Sequence, residues 1–125
     1  MAGSPSPALA RLAALRPGAV AVPREHGALD LYDEEGRLIA RMAFTGDRHG
    51  IAIDLAHLVP GLLATRCRLV ILRHSHPSGN PEPSDADIAA TRAFASLLRL
   101  LGVQLHDHVI EAASGCVSFR LRGLL

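Results

Sequence analysis

A short apolar run followed by a proline-rich loop and a capped helix is the feature that most restricts how this chain can fold. The run is RLVIL, residues 68–72, and its length between polar residues is typical of a strand buried on both faces. The helix pattern covers residues 84–102, where Ser84 is a good N-cap and Gly102 ends the pattern. Its apolar stripe consists of Ile88, Ala95, Leu98 and Leu101. A buried strand joined to a helix by a loop predicts an α/β fold.

A hairpin precedes this unit. The segment EHGALDLYDEEGRLIARMAF carries Gly27, Leu29 and Leu31 on one face of a first strand. Residues 33–36, Asp-Glu-Glu-Gly, have the composition of a turn, and a second strand is expected over residues 37–44.

The remaining segments complete the predicted order β-β-α-β-α-β-β. The stretch DLAHLVPGLLATR has helical Leu and Ala spacing, but Pro60 should kink or divide that helix. Residues 103–121 alternate as two strands joined near Ser114. We therefore expect a single α/β domain over residues 19–125, preceded by a tail or short docking helix over residues 1–18.

Composition excludes several classes of protein. Thirteen basic against 12 acidic residues, with 3% aromatics, give neither the basic stripe nor the stacking residues of a nucleic-acid binder, so strong nucleic-acid binding is not expected. No apolar run of about 18 residues suggests a membrane span, and no apolar signal-peptide region is recognised, so we expect a cytoplasmic protein. Cys67 and Cys116 lack metal or redox spacing and are expected to be reduced, partly buried thiols.

A His-x-His pair follows the buried strand. Because side chains at i and i+2 of a strand share a face, His74 and His76 should lie close enough to bind one metal ion. A catalytic zinc site has three protein ligands and a water, and Asp87, in the first turn of the next helix, is the natural third ligand. Three prolines in the loop limit its freedom, as a site of fixed geometry requires.

Each of these residues also has a structural interpretation. Asp87 lies three residues after Ser84, which is the capping-box spacing and taken alone indicates helix capping. A His-x-His pair taken alone is more often not a metal site. The full spacing His-x-His-x(10)-Asp at a strand–loop–helix junction is far more specific and favours a metal.

A second His-x-His pair, around His106, Asp107 and His108, lies in the middle of a predicted strand. No rigid loop or carboxylate-bearing helix follows it. We expect these residues to be polar members of the core or to orient a metal ligand, as a histidine or carboxylate can. Direct participation in the site is the alternative.

The metal-site segment resembles a known signature. HSHPSGNPEPSDAD is similar to the JAMM (MPN+/JAB) metalloprotease motif H-[ST]-H-x(7)-S-x(2)-D, through His74, Ser75, His76, Ser84 and Asp87. The downstream segments LGVQLHDHVI and VSFRLRGLL resemble one branch, the RadC-like JAB domain. The resemblance implies the JAB/MPN fold, a cytidine-deaminase-like mixed β-sheet flanked by helices. It also implies a zinc hydrolase of peptide or isopeptide bonds.

The resemblance further assigns a catalytic glutamate to Glu25, because REHGALDLYDEEGRLI fits the start of the family's first strand. Strand alternation agrees, since Glu25 would share the apolar face of Gly27, Leu29 and Leu31. The alternative is a surface charge at the end of the strand. Glu34 and Glu35 are turn residues and poor rivals.

Together these features predict amide hydrolysis of a peptide or protein substrate, which the family suggests is isopeptide-linked. Zn2+ on His74, His76 and Asp87 would activate a water, Glu25 would act as general base, and Ser84 would stabilise the oxyanion. A catalytically silent JAB scaffold and a DNA-repair accessory factor are the alternatives. A zinc deaminase would require a Cys-rich ligand set with a His-x-Glu motif, which the sequence lacks.

Overall fold

In the part of the chain that the structure describes, a mixed five-stranded sheet packs with two helices. The computed structural model describes residues 26–45 and 55–125. Its elements in chain order are β1 (His26–Tyr32), β2 (Leu38–Thr45), α1 (Leu55–Thr65), β3 (Leu69–Ser75), α2 (Asp85–Leu100), β4 (Gln104–Ala112) and β5 (Gly115–Ser118). The strands are ordered β2-β1-β3-β4-β5; β3 and β4 are parallel, and the other pairs are antiparallel. The predicted α/β class and element order are confirmed, whereas the predicted N-terminal tail, residues 1–18, lies outside the described residues.

The hairpin between β1 and β2 is closed by its acidic turn. One carboxylate oxygen of Asp33 accepts the backbone N–H groups of Glu35 and Arg37, at 3.0 and 2.9 Å. Gly36 has φ of +79°, a left-handed conformation that costs glycine little. The turn predicted from composition is therefore present at residues 33–36.

Strand β3 is the centre of the sheet and is longer than the sequence suggested. The strand continues past its apolar run through His74 and Ser75, because His74 is paired with both β1 and β4 and Ser75 is paired with β4. His74 is directly opposite Gly27 of β1 and Ile110 of β4. The first histidine of the motif thus lies within the sheet and not in the loop that follows it.

A β-bulge in β4 changes which of its residues face the core. Val70 is paired with Leu105, but the next residue of β3, Ile71, is paired with Asp107, so His106 is an extra residue. Side chains after this point are displaced by one position relative to a regular alternation. As a result Leu105 and His108, three residues apart, are both buried.

The helices confirm the predicted ends but correct two details. Helix α1 runs through Pro60 without a break, so Pro60 does not divide this helix, and the kink that was the other expected outcome stays a prediction. Helix α2 ends in a Schellman motif, in which the N–H groups of Gly102 and Val103 bond the carbonyls of Arg99 and Leu98. Its buried residues are Thr91, Phe94 and Leu98, so only Leu98 of the predicted stripe is fully buried.

One face of the sheet forms the core with both helices. Leu29, Leu31, Val70 and Leu72 of the sheet belong to the same buried cluster as residues from both helices, which include Leu62 and Leu98. Cys67 and Cys116 do not form a disulfide. Cys67 is buried and Cys116 is exposed, so the expectation of partial burial fails for Cys116. Within the described ranges no helix has the length and apolarity needed to cross a membrane.

Candidate metal centre

Three side chains with metal-binding atoms meet at the end of β3. His74 is in the strand, His76 follows it immediately, and Asp87 lies in the first turn of α2. One ligand atom from each lies within 4.8 Å of the others. The Asp87 carboxylate is 3.3 Å from Nε2 of His76 and 4.0 Å from Nε2 of His74. The structure therefore brings together the three residues that the sequence spacing nominated.

His74 provides the observation that best tests whether a metal fits. Its side chain is buried, and Nε2 is one of two buried side-chain nitrogen or oxygen atoms in the described residues without a hydrogen-bond partner; the other is Nδ1 of His26. Such an atom costs about 1–3 kcal/mol when nothing compensates it. A metal ion would compensate it, and imidazole nitrogen with carboxylate oxygen is a donor set that zinc accepts.

The second histidine is oriented by its own loop. Nδ1 of His76 lies 2.9 Å from the carbonyl oxygen of Asn80, so it donates to that carbonyl and Nε2 is directed to the Asp87 side. The loop is also tied to β4 and to the turn after it: the His76 N–H donates to the Glu111 carbonyl at 2.9 Å, and the Ser114 hydroxyl donates to the Gly79 carbonyl at 2.7 Å. These bonds supply the stiffness that its prolines predicted.

The capping and metal-site interpretations of Asp87 are compatible. Ser84 and Asp87 form a capping box, in which the Asp87 N–H donates to Ser84 Oγ at 3.0 Å and the Ser84 N–H donates to Asp87 Oδ2 at 2.9 Å. These bonds hold the carboxylate at the helix start with its oxygens toward both histidines. A hydroxyl that accepts a hydrogen bond still has its own proton to donate, so Ser84 can cap and donate together.

Burial determines the protonation state of the histidines. Removal from water lowers the pKa of His74 to about 4, although the nearby Asp87 carboxylate opposes this shift. Burial also lowers the pKa of His108 to about 3. Both imidazoles are therefore neutral near pH 7, which is the form that can bind a metal.

The second His-x-His pair is divided by the bulge. His108 is buried and its Nε2 lies 2.6 Å from Nδ1 of His74. Asp107 points elsewhere: its carboxylate accepts from the His108 N–H, the Ser118 hydroxyl and the Arg120 N–H, at 2.7, 2.5 and 3.0 Å. His106 is half-buried and is not part of the ligand trio.

Thr91 is the site residue that sequence reasoning missed. It is buried in α2 and its hydroxyl lies 2.7 Å from Nδ1 of His108 and 2.6 Å from the carbonyl oxygen of Asp87. The available signal was its position one helical turn after Asp87, on the same helix face. A cavity of about 40 Å³, large enough to hold water, lies among these side chains.

Ser75 connects the site to the start of β1. Its hydroxyl accepts the His26 N–H at 3.0 Å and donates to the His26 carbonyl at 3.3 Å. Glu25, the predicted general base, lies outside the described residues. It directly precedes His26 in the sequence, so the side chain between the two motif histidines holds the residue next to it.

Comparison with known proteins agrees with the fold. The RadC-like JAB domain family matches residues 6–124. The chain belongs to this family. Among its relatives, a UPF0758 protein of Methylibium petroleiphilum is 38% identical over 104 residues, which cover 82% of this chain and 47% of the relative. A UPF0758 protein of Xanthomonas euvesicatoria is 40% identical over 94 residues, covering 74% and 42%.

The match covers only part of each relative. The chain spans less than half the length of the two RadC-like relatives that it matches. What is shown is therefore a RadC-like JAB domain with a His-His-Asp group that could hold a metal ion.

Proposed function

We propose that this RadC-like JAB domain is a zinc-dependent hydrolase of peptide or isopeptide bonds. The observation that carries the proposal is the buried Nε2 atom of His74, which lacks a partner and lies beside His76 and Asp87. A buried atom without a partner calls for an explanation, and a bound ion is the one that the neighbouring His76 and Asp87 side chains support. His74, His76 and Asp87 would hold the ion, and three protein ligands are the number typical of catalytic zinc sites.

The residues of the chain divide the chemistry among them. Zinc, when bound by His74, His76 and Asp87, supplies a Lewis acid that polarises the scissile carbonyl and lowers the pKa of a water to about 7. Glu25 removes the proton of the attacking water and delivers it to the leaving amine. The Ser84 hydroxyl donates a hydrogen bond to the carbonyl oxygen as negative charge develops there.

Two features of β1 support Glu25 in this role. Gly27, two residues later, is directly opposite His74, so the side of β1 that alternation assigns to Glu25 is the side of the metal residues. The hydrogen bonds between Ser75 and His26 keep the start of β1 next to the motif. The net charge of +1 supports a peptide substrate over a nucleic acid.

Metal analysis tests the ligands. We expect one zinc per chain in the wild type and loss of zinc in His74→Ala, His76→Ala and Asp87→Ala. His106→Ala is the matched control, because His106 belongs to the other His-x-His pair, and it should retain zinc. Loss of zinc in His106→Ala with full retention in Asp87→Ala would refute the ligand set.

Turnover tests the enzyme against the scaffold. Glu25→Gln should retain zinc and folding but hydrolyse peptide or isopeptide substrates about 10²–10⁴-fold more slowly, because it cannot accept the proton. Equal rates in wild type and Glu25→Gln would remove Glu25 from the mechanism. A zinc-loaded wild type that cleaves no member of a broad substrate panel would favour a binding module.

A further inference from the structure

A chain of three short hydrogen bonds runs inward from the proposed metal ligand His74. Its Nδ1 is 2.6 Å from Nε2 of His108, the other nitrogen of His108 is 2.7 Å from the Thr91 hydroxyl, and that hydroxyl is 2.6 Å from the carbonyl oxygen of Asp87. His108 and Thr91 are each 2% exposed, so these bonds are shielded from bulk water.

The last member of the chain fixes the direction of every bond. A backbone carbonyl can only accept, so the Thr91 hydroxyl proton is directed to the Asp87 oxygen. The hydroxyl oxygen must then accept from His108, which places the proton of His108 on Nδ1. With Nδ1 protonated, Nε2 of the neutral His108 ring is an acceptor.

The same logic extends to His74. Two ring nitrogens 2.6 Å apart require one proton between them, and since Nε2 of His108 accepts, that proton belongs to Nδ1 of His74. The neutral His74 ring then has its lone pair on Nε2, the atom that faces Asp87 and has no hydrogen-bond partner. The reverse direction would protonate Nε2 and block it as a ligand.

We propose that His108 and Thr91 are positioning residues that hold the proton of His74 on Nδ1 and so keep Nε2 available for the metal. The proposal rests on the proposed function, because it assumes that Nε2 of His74 is a ligand atom. His108 is itself held in place: its ring stacks on Phe119 with centroids 4.3 Å apart and planes inclined by 23°. Both residues are buried, and neither belongs to the group of proposed metal ligands.

Thr91→Val is the most informative variant. It preserves the shape of the side chain but removes the acceptor for the His108 Nδ1 proton. The proton of His108 is then better placed on Nε2, where it donates to His74 and moves the His74 proton to its Nε2 atom. Zinc affinity should fall about 10–100-fold, the usual loss when a partner of a metal ligand is removed. Thr91→Ser keeps the hydroxyl and should restore wild-type affinity.

His108 offers a second matched pair. His108→Phe keeps a ring for stacking on Phe119 but leaves Nδ1 of His74 without an acceptor, so it should weaken zinc binding as Thr91→Val does. In His108→Gln, the side-chain oxygen can accept from His74, so this variant should bind zinc more tightly than His108→Phe. A purely structural role in packing predicts the opposite order, because only phenylalanine preserves the ring.

Two readouts on the full chain separate the possible failures. Long-range proton–nitrogen NMR of the metal-free wild type should show His74 protonated at Nδ1, and protonation at Nε2 would overturn the proposal whatever metal binds. The second readout is the zinc affinity, measured by competition with a chelator. A wild type that binds no zinc defeats the metal centre, whereas tight zinc binding that is unchanged in Thr91→Val and His108→Phe defeats only the positioning role. If Thr91→Val does not fold, the NMR spectrum and the two His108 variants still decide.

Discussion

Two polar clusters, each with a buried centre, lie on opposite faces of the sheet. The buried carboxylate of one is fully hydrogen-bonded, whereas one buried histidine nitrogen of the other has no partner. On the outer face, Asp30 is 1% exposed, and its carboxylate accepts from Arg41 at 2.5 and 2.9 Å and from Arg73 at 3.0 Å. We call these three residues the carboxylate cluster. On the core face, His74, His108 and Thr91 form the histidine cluster, in which Nε2 of His74 has no partner.

The difference separates a structural group from a binding group. Burial alone would raise the pKa of Asp30, but the hydrogen bonds from Arg41 and Arg73 outweigh it, and the pKa ends below its usual range. Asp30 is therefore charged and fully paired within the protein. The histidine cluster is neutral and paired at every atom but one, and a metal ion bound there would supply the missing partner.

Zinc should produce the largest contrast between the clusters. At about 1,000 times its dissociation constant, zinc should raise the free energy of unfolding of the wild type by about 4 kcal/mol. The increment should disappear in His74→Ala and persist in Asp30→Asn, because only the histidine cluster contains a proposed ligand. Urea unfolding with and without zinc measures this increment in both variants. An increment lost in Asp30→Asn and kept in His74→Ala would reverse the assignment of the two clusters.

The second-largest contrast should be the effect of acid on the stability that each cluster contributes. In the metal-free protein, unfolded histidines take up protons below their ordinary pKa of 6.5, whereas His74 and His108 stay neutral until about pH 4 and 3. The folded state thus binds fewer protons, and its stability should fall by about 1.4 kcal/mol per pH unit for each histidine as the pH drops from 6.5 toward 4.

The carboxylate cluster should not contribute in that pH window. Because the folded pKa of Asp30 lies below its ordinary value of 3.8, its stabilisation is intact above 3.8 and is lost as the pH falls further. Unfolding at several pH values therefore has an internal comparison: His108→Phe should reduce the slope between pH 6 and 4.5 by about one proton. Asp30→Asn should leave that slope unchanged, and a change there would contradict the separation.

Removing the charge of the carboxylate cluster should cost stability at neutral pH. Asp30→Asn replaces charge-assisted hydrogen bonds, each worth about 1.5–3 kcal/mol, by weaker ones, so we expect a loss of about that size. Asp33→Asn is the control, because Asp33 also bonds an arginine but lies in the exposed turn. Its loss in urea unfolding should be much smaller. Similar losses in both variants would mean that burial does not strengthen the Asp30 bonds.

Ser75 should give the smallest effect and a mixed phenotype. It lies between the metal residues in sequence but bonds the backbone of β1. Ser75→Ala should lower the free energy of unfolding by about 0.5–1.5 kcal/mol and retain zinc, and Ser75→Thr should keep the hydrogen bonds. Denaturation with parallel zinc analysis checks this. Loss of zinc in Ser75→Ala would place Ser75 in the histidine cluster.

Much of the fold followed from local patterns in the sequence. The hairpin turn at residues 33–36 and the helix limits near Ser84 and Gly102 depend on neighbouring residues, so composition and capping rules predicted them. The end of β3 did not follow, because His74 and Ser75 are strand residues only through pairing with other strands. The continuity of α1 through Pro60 did not follow either, since Leu58 and Leu62 on its two sides pack in the core.

The candidate site, like the fold, was predictable where it depends on residues close together in the chain and not where it depends on strand pairing. The trio of His74, His76 and Asp87 could be nominated from spacing, because a strand end, a loop and a helix start are consecutive in the chain. The role of His108 could not, because it depends on the register between β3 and β4 and on a bulge that no local pattern announces. Thr91 was missed because a polar residue in an apolar stripe gives no sign of its partner.

The bulge also means that the length of β4 can vary at one point without moving the site. Because His106 is the extra residue, a strand lacking it would still pair Leu105 with Val70 and His108 with Leu72. The second His-x-His pair is thus a product of an added residue, and a one-residue deletion there would erase the motif from the sequence while leaving His108 behind His74. Among related chains, the histidine in this position should therefore be sought by its strand partner Leu72 and not by its distance from Leu105.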